Sequence, residues 1–369
     1  MKTLRIKTIK EIDRTLWNDT LRGPYLSYEW FEYIEECFAT EYRFFYLLCF
    51  DGNDLKGILP AVVSGPSDSL YKHLLFGRAK PIFDKFNLFK GKPLLCLAPE
   101  SGGRGYFTDQ RMDHDILRAL LQAGDEIVQQ KKLSGMVFLF VIEEQHREIE
   151  LLESMGYQKV FLNKAGVFYN RFSNFEEYRS AMSKKMGKNI KREIKRFIAD
   201  GCTLEVVERP EDQVRLHYRL AHNIEMKYPT PDARSEEKQM QSAYELLAKY
   251  LTCYVVKKDG LSIGTISLLE KDGIIATYGL GLDYERIKKN RTYFYLLYYH
   301  TIMEMIKRNI TSINFNAMAY KIKERRGCKL IPQYMLIKPR KGKRLMFIWK
   351  YFLNYQYKKK FKQNYMAQK

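Results

Sequence analysis

Between Thr252 and Leu280, three apolar runs are separated by near-identical tripeptides. The runs are Thr252–Lys257, Ser262–Leu269 and Ile274–Leu280, and the separators are Lys258-Asp259-Gly260 and Lys271-Asp272-Gly273. Asp-Gly supplies the two positive φ angles of a tight hairpin turn, so this stretch predicts three consecutive antiparallel strands. A long helix follows the meander, since Tyr293–Arg308 has helical periodicity. Strand Ser312–Asn316, a short helix near Tyr320–Arg326 and strand Leu330–Lys338 are expected after it. Ahead of the meander the pattern gives strand Val167–Phe172, helices Asn174–Met182 and Lys184–Ala199, strand Thr203–Val207 and helix Glu211–Lys227.

The first half reads as a partial copy of that order. Helix Glu29–Phe38 is followed by a hairpin, Phe44–Phe50 and Leu55–Val63, around Asp51-Gly52-Asn53-Asp54. Pro66 to Gly105 is rich in Gly and Pro and reads as an irregular excursion. Helix Asp113–Lys132, buried strand Met136–Ile142, helix Glu143–Met155 closed by Gly156, and strand Tyr157–Leu162 complete it. Two domains are expected, 1–164 and 165–339, with a tail at 340–369, in keeping with 369 residues.

Composition removes several classes. The start, MKTLRIKTIKEID, has no apolar h-region of a cleaved signal, and the longest apolar runs, Met136–Ile142 and Tyr293–Tyr299, fall far short of a bilayer span. Six scattered cysteines with no C-x-x-C argue against a disulfide framework or zinc site and fit a reducing cytoplasm. His217 and His222 are five apart, the wrong spacing for one helical face, so no metal is expected. P-loop, G-x-G-x-x-G and G-x-S-x-G signatures are absent, and no helix-turn-helix or finger suggests a sequence-specific DNA binder.

Four segments carry a family resemblance: Tyr25-Leu26-Ser27-Tyr28-Glu29-Trp30-Phe31; Phe175–Tyr178 with the basic run Ser183–Glu193; Phe294–Ile302 with Tyr298-Tyr299; and Lys323-Glu324-Arg325-Arg326-Gly327. In this order, from about Tyr25 to Pro332, they resemble the Fem-like acyl and aminoacyl transferase superfamily. More narrowly, they resemble the bacterial peptidoglycan biosynthesis/recognition group and the related BioF2-like acetyltransferase domains. The resemblance implies an α/β (α+β) architecture of two tandem domains like the Gcn5-related N-acetyltransferases (GNAT), with mixed sheets flanked by helices and a basic amphipathic tail. It also implies an N-acyltransferase that moves an acyl or aminoacyl group to an amine of a cell-envelope precursor or related metabolite. The activated co-substrate would be aminoacyl-tRNA, acyl-CoA or acyl-carrier protein, with no tightly bound cofactor. Two departures stand out. The family's GAQGEHK run is here Ala317–Lys323, without its Gly, Glu and His, and Lys289 and Arg291 occupy the glycine positions of the pyrophosphate loop of coenzyme-A-dependent acetyltransferases.

Acyl transfer to an amine needs an oxyanion donor and an acid for the leaving group. In this fold the donor is usually a backbone N–H of the strand before the long helix, which points to Tyr278-Gly279-Leu280-Gly281. Its glycines would either splay the strand or permit tight packing. Tyr278, Tyr298 and Tyr299 are candidate phenolic acids against a background of 27 mostly packing tyrosines. Asn314 and Asn316 would share one strand face and polarise a carbonyl, or simply complete a polar face. Arg286, Lys288, Lys289 and Arg291, with Lys323 and Arg326, would form an anion cradle for a phosphate or tRNA end, or a solvated basic surface.

The net charge of +20 is concentrated. Residues 179–196 carry +7 and residues 340–369 carry +10, leaving a near-neutral body. Helix Lys184–Ala199 has seven cations, one acid (Glu193) and an apolar stripe of Met186, Ile190, Ile194, Phe197 and Ile198. The tail interleaves its cations with aromatics and offers an apolar face at 345, 348, 349, 352 and 355. That face would lie on an anionic membrane or against the protein itself. The expected protein is cytoplasmic, with contact at the inner face of the membrane. The alternative is a non-catalytic module of the same fold that holds RNA or anionic lipid through these basic surfaces.

Overall fold

A computed structural model of the chain describes residues 1–65, 91–103, 105–106, 112–228, 236–287 and 290–367. Its elements begin with β1 (Lys2–Ile6), α1 (Arg14–Thr20), α2 (Tyr28–Cys37), β2 (Tyr42–Asp51), β3 (Asp54–Ser64), β4 (Leu94–Cys96), α3 (His114–Gln130), β5 (Gly135–Ile142), α4 (His146–Ser154) and β6 (Gln158–Tyr169). They continue with α5 (Phe175–Ala181), α6 (Lys184–Ala199), β7 (Thr203–Val207), α7 (Val214–Lys227), α8 (Glu237–Leu246), β8 (Leu251–Lys258), β9 (Leu261–Lys271) and β10 (Ile274–Leu282). A helical stretch follows: α9 (Thr292–Phe294), a π-helical segment Tyr295–His300 and α10 (Thr301–Lys307). β11 (Ser312–Asn314), α11 (Tyr320–Arg325), β12 (Lys329–Pro339) and α12 (Lys343–Ala367) close the chain. The mixed α/β class holds. Most of the expected Pro66–Gly105 excursion lies outside the described residues.

The chain forms two units. The first is Met1–Ala165 with Asn316–Tyr320 and Leu330–Lys369; the second is Gly166–Phe315 with Lys321–Lys329. The last strand, expected in the second domain, instead pairs antiparallel with β5 (Lys338↔Met136, Gln333↔Ile142) and so joins the first unit. The two strands expected at Tyr157–Leu162 and Val167–Phe172 are one, β6, because Asn163–Gly166 stays extended and makes no turn.

In the first unit the strands run β1-β2-β3-β4-β5-β12. The β4–β5 pair is parallel and the other pairs with a recorded register are antiparallel. Amphipathic α3 buries Leu117, Leu120, Leu121, Ile127 and Val128. Gly124 lets α3 approach β5, since a Cβ there would meet Met136 Sδ at 2.7 Å. The tail helix α12 also belongs to this unit. Met346, Leu353 and Tyr357 are buried, Asn354 Oδ1 accepts from the Phe161 N–H at 2.7 Å, and Phe361 meets Phe161 and Tyr320 edge-on. The buried face is therefore 346/353/357 rather than the expected 345/348/349/352/355. Phe352 and Tyr355 are exposed, and the side chains of Leu345 and Ile348 lie outside the description. A helix apolar on several sides does not announce which side will dock.

In the second unit the order is β6-β11-β10-β9-β8-β7. Both tripeptides make their turns: Asp259 and Gly260 have φ of 50° and 74°, Asp272 and Gly273 of 56° and 72°. β8, β9 and β10 pair antiparallel as a meander. Asn174 and Ser183 cap α5 and α6 by accepting from Glu177 N and Met186 N. α6 docks through Ile190 and Phe197, the latter stacked on Tyr295 with centroids 3.9 Å apart. Ile198, expected in the apolar stripe, is exposed, and Glu193 shares the buried face with Ile190 and Phe197.

Candidate active site

β10 and β11 are parallel neighbours in contact at one register pair, Ile275↔Ile313. Beyond it β10 continues for seven residues to Leu282, whereas β11 ends at Asn314. The two strands thus part towards their C-terminal ends, and the second half of β10 has no partner from β11. A bulge falls in that half: Thr277 pairs with Leu268 and Gly279 with Ser267, which leaves Tyr278 as the extra residue.

The glycines flanking the bulge serve close packing. A Cβ on Gly279 would lie 2.6 Å from Nε2 of His217, and one on Gly281 would lie 2.5 Å from Thr265 Oγ1 and 2.6 Å from Leu220 Cβ. Both of these α7 residues, His217 and Leu220, are buried. Sequence reasoning set His217 aside as a metal ligand and gave it no other part. It sits with Val214 and Leu220 on the buried side of α7, and that i±3 spacing was the available signal. Its Nδ1 contacts the Tyr244 hydroxyl and lies 3.0 Å from Ser267 Oγ, which in turn meets Cys253 Sγ at 3.2 Å. Burial pushes the imidazole pKa down to about 4, so the ring is neutral at pH 7.

The other side of the parting carries Lys323. This side chain is 3% exposed, its stem fills the space over Gly166, and Nζ donates to the Phe315 carbonyl at 2.7 Å, one residue past β11. Burial lowers its pKa to about 8. Asn314, also buried, ends β11. Asn316, expected on the same strand face, lies beyond the strand in left-handed backbone (φ 60°) and in the first unit, with its amide nitrogen against Gly102. Met318 (φ 67°) and Ala319 (φ 47°) continue this strained stretch.

The remaining candidates are engaged elsewhere. Tyr299 is buried and donates its hydroxyl to Glu193 Oε2, to which Arg326 Nη2 also donates at 3.0 Å. The Arg326 guanidinium lies over the rings of Phe294, Tyr298 and Tyr299, 4.1–5.5 Å from their centroids. Arg326, expected in an open cradle beside Lys323, is thus spent in a closed ion pair, and Tyr299, expected as an acid, is held in the same cluster with its pKa raised by burial. Tyr298 is buried against Phe315, its pKa raised the same way. The π-helical segment that carries Tyr298 and Tyr299 is a deviation often found at functional sites.

The expected phosphate loop is only partly assembled. Lys288 and Lys289 lie outside the described residues. Arg286 pairs with Asp283 and borders a cavity of about 280 Å³ shared with Arg219 and Asn223. Arg291 holds the left-handed backbone (φ 68°) that glycine usually takes. Buried Asn290 was not anticipated: its Oδ1 accepts from both the N–H and the hydroxyl of Thr292, at 3.1 and 2.7 Å. A side chain of the protein therefore holds a donor that a phosphate would otherwise meet at the helix start.

Against known families, residues 8–337 match the model of the FemAB-like family, described as peptidoglycan biosynthesis/recognition. The chain belongs to the FemAB-like family. No curated protein matches it. Among solved structures, this FemAB-like chain is similar to FemX at a TM-score of 0.62 and 10% identity, over 91% of this chain and 97% of that one. A conserved protein of unknown function from Bacteroides thetaiotaomicron aligns at 0.55 and 12%, over 89% and 97%. The C-terminal domain of a putative lysylphosphatidylglycerol synthetase from Agrobacterium fabrum aligns at 0.53 and 12%, over 92% and 96%. At such identities the likeness speaks for the fold. Among the described residues no cluster of His, Cys, Asp or Glu could hold a metal ion, and no helix is long and apolar enough to cross a membrane.

Proposed function

We propose that this FemAB-like protein is a cytoplasmic transferase that moves an acyl or aminoacyl group to an amine of a cell-envelope precursor. Its reaction centre would be the parting of β10 and β11. The observation that carries this is Lys323, a buried cation whose Nζ is tied to the Phe315 carbonyl, one residue past the end of β11. As the amine's nitrogen bonds to the activated carbonyl carbon, negative charge builds on the carbonyl oxygen. The amine's proton passes to the leaving oxygen or sulfur as that bond breaks. A desolvated ammonium is suited to the developing charge, and a pKa near 8 lets the same group relay a proton. Tyr278, set out of register by the bulge, is the proposed phenolic acid, and backbone N–H groups of β10 beyond its contact with β11, that of Gly279 among them, are the proposed oxyanion donors.

Aminoacyl-tRNA is favoured over acyl-CoA as the donor, because Asn290 already caps the helix start where a pyrophosphate would sit. Mass spectrometry of amine-bearing envelope precursors incubated with aminoacyl-tRNA, acyl-CoA or acyl-carrier protein tests the reading. We expect transfer from aminoacyl-tRNA, with a fall on the order of a hundredfold in Lys323→Met; no transfer from any donor overturns it. One observation favours the non-catalytic alternative: the exposed cations of α6 at 184, 185, 188, 192, 195 and 196 have no carboxylate partner among the described residues. Steeply salt-dependent RNA binding without turnover would support that module instead.

A further inference from the structure

α12 docks on its own unit through one face and leaves a second face in solvent. Phe347, Tyr351 and Tyr355 recur every four residues and are 50%, 62% and 64% exposed. The same stripe continues through exposed Lys358 and Lys362, with exposed Phe352 and Lys359 on its flank. Residues 340–369 contain ten cations and no acid, and among the described residues no carboxylate pairs with Lys358, Lys359 or Lys362. The helix has 25 residues, about 37 Å, but it is not apolar enough to cross a bilayer.

We propose that this face lies flat on the anionic surface of a phospholipid bilayer. The aromatic half would enter the headgroup boundary and the lysine half would meet lipid phosphates. The mixed chemistry selects this occupant. Single-stranded RNA could meet the lysines with phosphates and the rings with stacked bases, but along such a strand cations and rings would alternate; here the rings (347, 351, 355) and the lysines (358, 362) occupy separate halves of one stripe, the pattern of an interfacial helix. The opposite face, fixed by Leu353, Tyr357 and the Asn354–Phe161 hydrogen bond, keeps the exposed stripe facing away from the first unit. The proposal is independent of the transferase reading.

Co-sedimentation of the full chain with vesicles of phosphatidylcholine, with or without about one-third phosphatidylglycerol, tests it. Binding is expected only with the anionic lipid and is expected to collapse between about 0.05 and 0.5 M salt. Lys358→Gln/Lys359→Gln/Lys362→Gln should weaken it by roughly thirtyfold or more, and the matching Lys→Arg variant should retain it. Phe347→Ser/Tyr351→Ser/Tyr355→Ser should weaken it by about tenfold or more. All these side chains are exposed, so circular dichroism should show unchanged folding. Equal binding to both vesicle types, no response to either triple variant, or loss of tRNA binding with vesicle binding intact overturns the proposal.

Discussion

Lys323 and Arg326 are three residues apart, both nearly fully buried, and meet opposite surroundings. Arg326 finds a carboxylate, Glu193, a hydroxyl on that carboxylate, and aromatic faces above its plane. Lys323 finds a backbone carbonyl, that of Phe315, and the space over Gly166. For Lys323 burial dominates and pulls the pKa down. A buried cation paired with a carboxylate and covered by aromatic rings is explained by the fold. One held where β11 ends, with its pKa pulled down by burial, calls for a function. His217 across the parting is a third case, a buried base surrounded by hydroxyls and kept neutral.

The largest effect should come from breaking the closed pair. Arg326→Met leaves the Glu193 carboxylate buried with only the Tyr299 hydroxyl, and unfolding in urea should show a loss of about 3–5 kcal/mol. Arg326→Met/Glu193→Leu removes both charges and should recover most of that loss. If the single variant costs less than about 1 kcal/mol, the pair is not structural and the contrast with Lys323 fails.

His217 offers the next largest effect, read through pH. Its folded pKa of about 4 lies below the ordinary 6.5, so between these values the unfolded chain binds more protons and stability falls as the pH drops. The full penalty is on the order of 3 kcal/mol. His300, whose pKa burial also lowers to about 4, contributes in the same window. His217→Asn should flatten the stability profile between pH 6.5 and 4 by about half. An unchanged profile would mean that the imidazole is reached by water.

Much of this arrangement was legible wherever the signal is local. The Asp-Gly turns placed the meander, and Ser183 with Asp200-Gly201 bounded α6. Long-range partners were not. Glu193 meets Arg326 across 133 residues, and its only local mark is its position three residues from Ile190 and four from Phe197, on the buried side. The polar sequence of α8 concealed a helix that delivers Tyr244 to His217. The π-helical segment, YLLYYH, contains no Gly or Pro to mark it off from the helix around it. The tail had apolar residues on several sides, so its docking face was decided by Phe161 and Tyr320, which the local pattern does not contain.

The smallest effect on stability should be the most informative. Lys323→Met forfeits one hydrogen bond to the Phe315 carbonyl but also removes a desolvated charge, and the net change at pH 7 should be about 1 kcal/mol or less. Its pH signature is distinct. The folded pKa of about 8 lies below the ordinary 10.5, so the native chain gains stability as pH rises through that interval, and the methionine variant should lack the rise. Transfer that depends on the ammonium should likewise decline above about pH 8 in the native chain, following that pKa. A protein that keeps its stability yet loses transfer places Lys323 in the chemistry and Arg326 in the scaffold. If Lys323→Met instead destabilises as much as Arg326→Met, the two cations are alike, and the parting of β10 and β11 loses its claim to be the reaction centre.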